Sequence, residues 1–140
     1  MDPKVKAAIE KAVQREPFAR TFDMKLLELD TGYSRVEMTY AAAIADNIYE
    51  RAHGGAIYGL IDEAFETASQ TDGTIAVAMN VNVTYVASPE KGARLQAEAR
   101  RVSSTKKTAS YDIKVTDGNG RLIALCQALA YRTGKVIPFM

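Results

Sequence analysis

The second half of the chain leaves little choice of architecture. After Asp72-Gly73, four segments alternate or run apolar, at about 74 to 86, 93 to 103, 108 to 116 and 121 to 132. Only Pro89-Glu90-Lys91-Gly92, Ser104-Thr105-Lys106-Lys107 and Asp117-Gly118-Asn119-Gly120 separate them. Apolar patterning of period two marks strands, and a parallel crossover needs about a dozen residues or more. Connections this short therefore predict antiparallel neighbours.

One helix is available to cover such a sheet. Ile57, Leu60, Ile61, Ala64 and Ala68 fall on one stripe at the 3.6-residue period, while Gly59, Glu63 and Glu66 fall elsewhere. Upstream, Val5, Ile9, Ala12 and Val13 between Pro3 and Pro17 predict a short flanking helix. Phe22 to Glu28 and Tyr33 to Tyr40 read as a hairpin about Asp30, Thr31 and Gly32. Residues 41–52 lose periodicity and read as a loop. The expectation is an α+β chain, one domain over 1–140, with a curved antiparallel sheet around a long central helix. On the strand at 74–86, Ile75, Val77, Met79, Val81, Val83 and Tyr85 form the face expected to meet that helix. The last strand, carrying Leu122-Ile123-Ala124-Leu125-Cys126, is apolar on both faces, which predicts a central position or a subunit contact.

Composition narrows function by exclusion. A formal net charge of +1 marks neither a nucleic-acid binder nor a membrane-surface protein. No apolar run approaches the roughly 20 residues of a spanning helix. The N-terminus lacks a signal-peptide pattern, and Cys126 has no second cysteine to pair with. A reducing, cytoplasmic setting is expected. His53 is the only histidine, so a histidine-based triad or multi-histidine metal site within one subunit is excluded.

Gly54-Gly55 opens the long helix, and the first turn of a helix leaves N–H groups without partners. Those donors and the helix dipole suit a carbonyl gaining negative charge. The plainer reading is a tight turn. Asp62 lies about two turns further on, beside Tyr58, Phe65 and Ser69, at the margin between the apolar stripe and the polar face. Partial burial and the neighbouring Glu63 and Glu66 would raise its pKa toward that of a general base. Glu63 and Glu66 themselves read as a solvated acidic face. His53 serves equally as a structural or a substrate-contacting residue, and Asn47 as a turn former or an amide donor to a carbonyl. Arg100 and Arg101 flank SSTKKT at 103–108, a turn whose cations and hydroxyls suit phosphates or merely protect a strand edge.

Asn47, His53-Gly54-Gly55 and Asp62, followed by NVNVTYVASP at 80–89, resemble the hotdog-fold acyl-CoA thioesterases, specifically the PaaI-type phenylacetate-pathway branch. The resemblance covers nearly the whole chain, with HGGAIYGLIDEAFETA similar to the family's signature loop and central helix. It implies dimers that pair into tetramers, with active sites between subunits and no cofactor beyond the CoA of the substrate. Gly54 N–H would polarise the thioester carbonyl, with Asn47 and His53 close by. Asp62 from the neighbouring subunit would act as general base or nucleophile. Gly55, Tyr58, Glu66, Ala78 and Asn80 are the expected substrate contacts. Tyr85 and Ser103, Ser104, Thr105, Lys106, Lys107 and Thr108 match CoA-contacting positions. Where some relatives carry Ser or Thr on the third strand, this chain has Ala78, with Asn80 expected on the same face. A non-catalytic acyl-CoA sensor and a hotdog enoyl-CoA hydratase are the alternative functions.

Overall fold

The computed structural model describes residues 1–140. The chain runs α1 (Pro3–Val13), α2 (Pro17–Thr21), β1 (Lys25–Asp30), β2 (Tyr33–Thr39), α3 (Ala42–Ala45), α4 (Gly54–Ser69), β3 (Thr74–Tyr85), β4 (Arg94–Ser104), β5 (Thr108–Asp117) and β6 (Leu122–Val136). All six strands join one antiparallel sheet in the order β1-β2-β4-β5-β6-β3. It curves around α4, the hotdog arrangement that the resemblance implied. The apolar last strand is central as expected, between β5 and β3.

α4 is the core of the molecule. Leu60, Ile61, Ala64 and Ala68 are wholly buried, each large aliphatic contributing about 1.5–3 kcal/mol by leaving water. The sheet face beneath carries small side chains, Ala97, Ala99, Ala124 and Ala130, all inaccessible, so the strands approach the helix closely. Ser34 Oγ and Thr67 Oγ1, 2.6 Å apart and buried, tie β2 to α4. α1 does flank this core: Val5, Ile9 and Val13 form a small second cluster with Leu29 and Ile137.

Four expectations need correction. The segment from Phe22 becomes a strand only at Lys25, because Pro17 starts the short helix α2. The expected loop at 41–52 contains the four-residue α3 and an isolated bridge, Asp46 to Ala52. β3 and β4 are not neighbours despite their short connection. β3 pairs with β6, and Val86 and Ala87 donate to Ile123 O at 2.8 and 3.1 Å before the chain crosses to β4. Eight residues reach across the intervening strands, since each gap is only about 4.8 Å.

The fourth correction concerns which face of β3 meets the helix. The register against β6 slips between Ala78 (opposite Ala130) and Asn80 (opposite Leu129), leaving Met79 as an extra residue. A single added residue reverses the alternation of side chains. Ala76 and Ala78 therefore face α4 before the bulge, and Val81, Val83 and Tyr85 after it, whereas Val77 and Met79 point outward at 48% and 58% exposure. Asn80 lies on the outer face beside Asn82, whose Nδ2 donates to its Oδ1 at 2.6 Å. Ala78 and Asn80 thus occupy opposite faces, not one.

Candidate active site

The polar groups at the start of α4 are almost all engaged. His53 caps the helix: its N–H donates to Ala45 O at 2.7 Å, and its Nδ1 accepts from Gly55 N at 2.8 Å. His53 O accepts from Ala56 N and Ile57 N at 3.0 and 3.4 Å. Gly54 N–H alone in this turn has no acceptor within the chain. Of the two glycine amides, Gly54 is therefore free to meet a ligand oxygen and Gly55 is occupied. In the neutral ring, an accepting Nδ1 places the proton on Nε2, so His53 presents a donor to solvent.

Asn47 is both a turn former and a poised donor. Its Oδ1 accepts from Tyr49 N at 2.9 Å and Arg51 N at 3.2 Å, which anchors the loop and holds the amide plane. Nδ2 has no partner in the chain. Tyr85, at the end of β3, donates its hydroxyl to Gly54 O at 2.9 Å, a contact that spacing along the sequence does not reveal.

Asp62 faces a groove of about 220 Å³ lined with Phe65, Glu66, Ser69, Gln70 and Ala76 to Ala78. The fold thus brings together Asp62, Glu66 and Ala78, and leaves Asn80 on the other side of the sheet. The Asp62 carboxylate reaches solvent, yet desolvation by its surroundings lifts its pKa above the ordinary value. Tyr58, at the helix surface, has its phenol pKa raised by burial and then by the charge of Asp62. Gly54 and Asp62 are eight residues apart on one straight helix, about 12 Å of rise. Both cannot address one carbonyl carbon from the same copy.

Glu63 is not the solvated residue its position on the helical wheel predicts. It is 2% exposed, and its Oε1 has no partner. Burial, then the charges of Glu16 and Glu66, push its pKa up to about 8, so it keeps its proton at neutral pH. Glu66 is raised by burial, then by Glu16 and Asp62. Glu16, Glu63 and Glu66 bring carboxylate oxygens within 4.8 Å of one another, a donor set suited only to a hard cation. Retention of the Glu63 proton meets the same electrostatic need without one. Sequence reasoning missed this because Glu16 enters from α2's N-terminus, 47 positions away from Glu63.

The turn at 103–108 is exposed, and its cations are fewer than expected. Arg100 pairs with Glu98 at 2.6 Å and lies over Tyr33, while Arg101 and Arg132 share Asp72 at 2.6 and 2.7 Å. Thr105 Oγ1 accepts from Lys107 N and Thr108 N at 3.2 and 3.0 Å, closing the turn. Lys107 rests over the Tyr131 ring, and Lys106 makes no ion pair within the chain. Ser103 and Ser104 end β4 opposite Ser110 and Ala109. Tyr85 opposes Ala124 and Thr108 opposes Tyr131, seven residues or about 23 Å apart along β6. The turn and Tyr85 therefore lie at opposite ends of one protomer.

Comparison with known proteins places this geometry. Residues 49–124 match the family model described as the thioesterase superfamily. An Archaeoglobus fulgidus protein described as a putative esterase is 37% identical over 116 residues, covering 83% of this chain and 75% of the relative. Acyl-coenzyme A thioesterase PaaI of Escherichia coli is 27% identical over 124 residues, 89% of this chain and 88% of that one. The structure of E. coli PaaI, from the phenylacetic acid degradation operon, superposes with a TM-score of 0.90 over 96% of both chains at 26% identity. A Streptococcus mutans protein bound to acetyl CoA gives a TM-score of 0.77 at 25% identity, over 81% of this chain and 91% of that one.

Proposed function

Since this chain belongs to the thioesterase superfamily, we propose that it hydrolyses an acyl-CoA thioester to the free acid and CoA at a site shared by two copies. The observation that carries the reading is the one helix-start amide without an acceptor, Gly54 N–H, with Gly55 N–H held by His53 and Gly54 O held by Tyr85. The thioester oxygen accepts from this amide and gains charge as the carbonyl carbon is attacked. The Asn47 Nδ2 and the His53 Nε2–H supply further donors near the same oxygen. The hydratase alternative fares worse on these contacts. A hydratase needs a base near the acyl chain, and His53 has its accepting nitrogen committed to Gly55.

Asp62 of a second copy completes the site. β3 is a 12-residue edge strand with an unpaired outer side and exposed Val77 and Met79, and a long apolar edge favours pairing with another strand. Antiparallel pairing of two β3 strands about a point between Ala78 and Tyr85 sets the Gly54 and Tyr85 end of one copy against the Ala78 and Asp62 groove of the other. The same operation is the route by which the 103–108 turn of one copy and Tyr85 of the other reach a single CoA. Dimers of this kind pairing into tetramers, and a reaction needing no cofactor beyond the CoA of the substrate, belong to this proposal.

Asp62 either accepts a proton from the attacking water or attacks the carbonyl carbon itself. In the first course, the tetrahedral intermediate collapses with cleavage of C–S, and the proton passes to the departing CoA thiolate. In the second, thiolate leaves first and water opens the mixed anhydride. Single turnover in H₂¹⁸O identifies the nucleophilic course when water attacks the aspartyl carbonyl of the anhydride, which alone delivers label to the Asp62 carboxylate; attack at the acyl carbonyl labels the product acid, as general-base hydrolysis does. Asp62→Asn lowers kcat by about 10²- to 10⁴-fold while the fold is retained. A folded variant with full thiol release rejects the reading. The substrate panel starts with phenylacetyl-CoA, given the operon named for E. coli PaaI, and extends to hydroxybenzoyl- and straight-chain acyl-CoA.

A further inference from the structure

We propose that Tyr85 is a positioning residue for the Gly54 amide, and that this outweighs any contact it makes with CoA. The inference rests on the role given to Gly54 N–H above. The hydroxyl of Tyr85 donates to Gly54 O at 2.9 Å. Its ring stands against the same residue: a Cβ at Gly54 would lie 3.1 Å from Tyr85 Cζ and 3.2 Å from the hydroxyl oxygen. Glycine at 54 leaves the N–H uncovered and lets the ring sit close, since a Cβ there would force the ring back by a few tenths of an ångström.

The effect is orientation and not polarisation. Gly54 O belongs to the peptide linking it to Gly55, whereas the free N–H belongs to the peptide from His53. Glycine has the freest backbone of any residue, so two consecutive glycines at a helix start would otherwise leave that N–H direction loosely defined. His53 holds Gly55 through its ring nitrogen, and Tyr85 holds Gly54 through its carbonyl. Both contacts act on one peptide, the Gly54–Gly55 link, while the preceding peptide, which carries the free N–H, is held through His53 O by Ala56 N and Ile57 N; Tyr85 thus fixes the peptide next to the free amide. Tyr85 is also the last residue of β3, opposite Ala124 on β6, so the anchor is the sheet itself. The Tyr85 phenol keeps its proton for donation at working pH, and burial raises its pKa further above the ordinary value.

Tyr85→Phe retains the ring and removes only the hydroxyl. The expected result is a fall in kcat of about 3- to 30-fold, from one lost hydrogen bond and a displaced donor, with the changes in KM for acyl-CoA and in calorimetric affinity for free CoA smaller than that fall. Unchanged kcat with raised KM and weaker CoA binding would overturn the proposal and make Tyr85 a CoA contact; no change in any of the three would overturn it too. The backbone ¹⁵N relaxation of Gly54, measured on both proteins without substrate, reads positioning independently of turnover. Greater mobility of that amide in Tyr85→Phe is expected, and identical mobility sinks the inference. Failure of the wild-type chain to release thiol would reject the hydrolase reading alone, leaving the relaxation result to decide this one.

Discussion

Replacing Glu63 by Gln should make the protein lose less stability as pH rises, and the size of the effect follows from where the residue sits. Glu63 is all but inaccessible, with an unpartnered Oε1 and the carboxylates of Glu16 and Glu66 alongside. Burial first, and then those charges, lift its pKa from 4.5 to about 8. Below pH 4.5 the side chain is protonated whether the chain is folded or not, and no cost arises. Between 4.5 and about 8 the unfolded chain ionises while the folded one holds its proton, so stability falls as pH rises. At about 1.4 kcal/mol per pH unit, the whole window corresponds to at most about 5 kcal/mol. Gln has nearly the same shape and no charge to remove, so the variant should lack most of this slope. Urea unfolding at pH 5 and pH 8.5, compared between the two proteins at equal concentration, measures the difference. Parallel stability profiles across that range would refute the account, as would loss of the whole slope in Glu16→Gln or Glu66→Gln with Glu63 in place, since burial is the larger cause.

The remaining predictions concern the site and its assembly. Because desolvation raises the Asp62 pKa and a base or nucleophile must be ionised, kcat/KM should rise with pH through a midpoint above the ordinary carboxylate value; a pH-rate profile with its acid limb at or below 3.8 would contradict this. His53→Ala removes the acceptor for Gly55 N–H and should destabilise the chain by about 1 kcal/mol, read from denaturant midpoints, with a loss of turnover beyond what unfolding explains. Lysines at Val77 and Met79 should block β3 from pairing with a second copy, giving a folded monomer by sedimentation and abolishing thiol release. Full activity in that monomer would remove the two-copy site.

Much of the molecule is legible in local chemistry. The stripe Ile57, Leu60, Ile61, Ala64 and Ala68 specifies a helix buried along one side, and short turns specify antiparallel strands, because both depend on spacing within a few residues. Gly54-Gly55 at a helix start likewise announces exposed amides. Which amide stays free is not local. It depends on the His53 ring folding back onto Gly55, while Tyr85 reaches the Gly54 carbonyl from 31 positions away.

Tertiary structure alone decided the rest, for one recurring physical reason: a residue's environment is set by whatever the fold carries to it from distant sequence. A single bulge at Met79, visible only in register against β6, turned Val77 and Met79 outward and separated Ala78 from Asn80. The helical wheel put Glu63 beside polar neighbours, but the sheet and Glu16 enclosed it. The place of β3 at the sheet edge, instead of beside β4, left a strand unpaired on one side. That open edge, with about 12 Å of helix between Gly54 and Asp62, is what supports the proposal of a reaction centre shared by two copies of the chain.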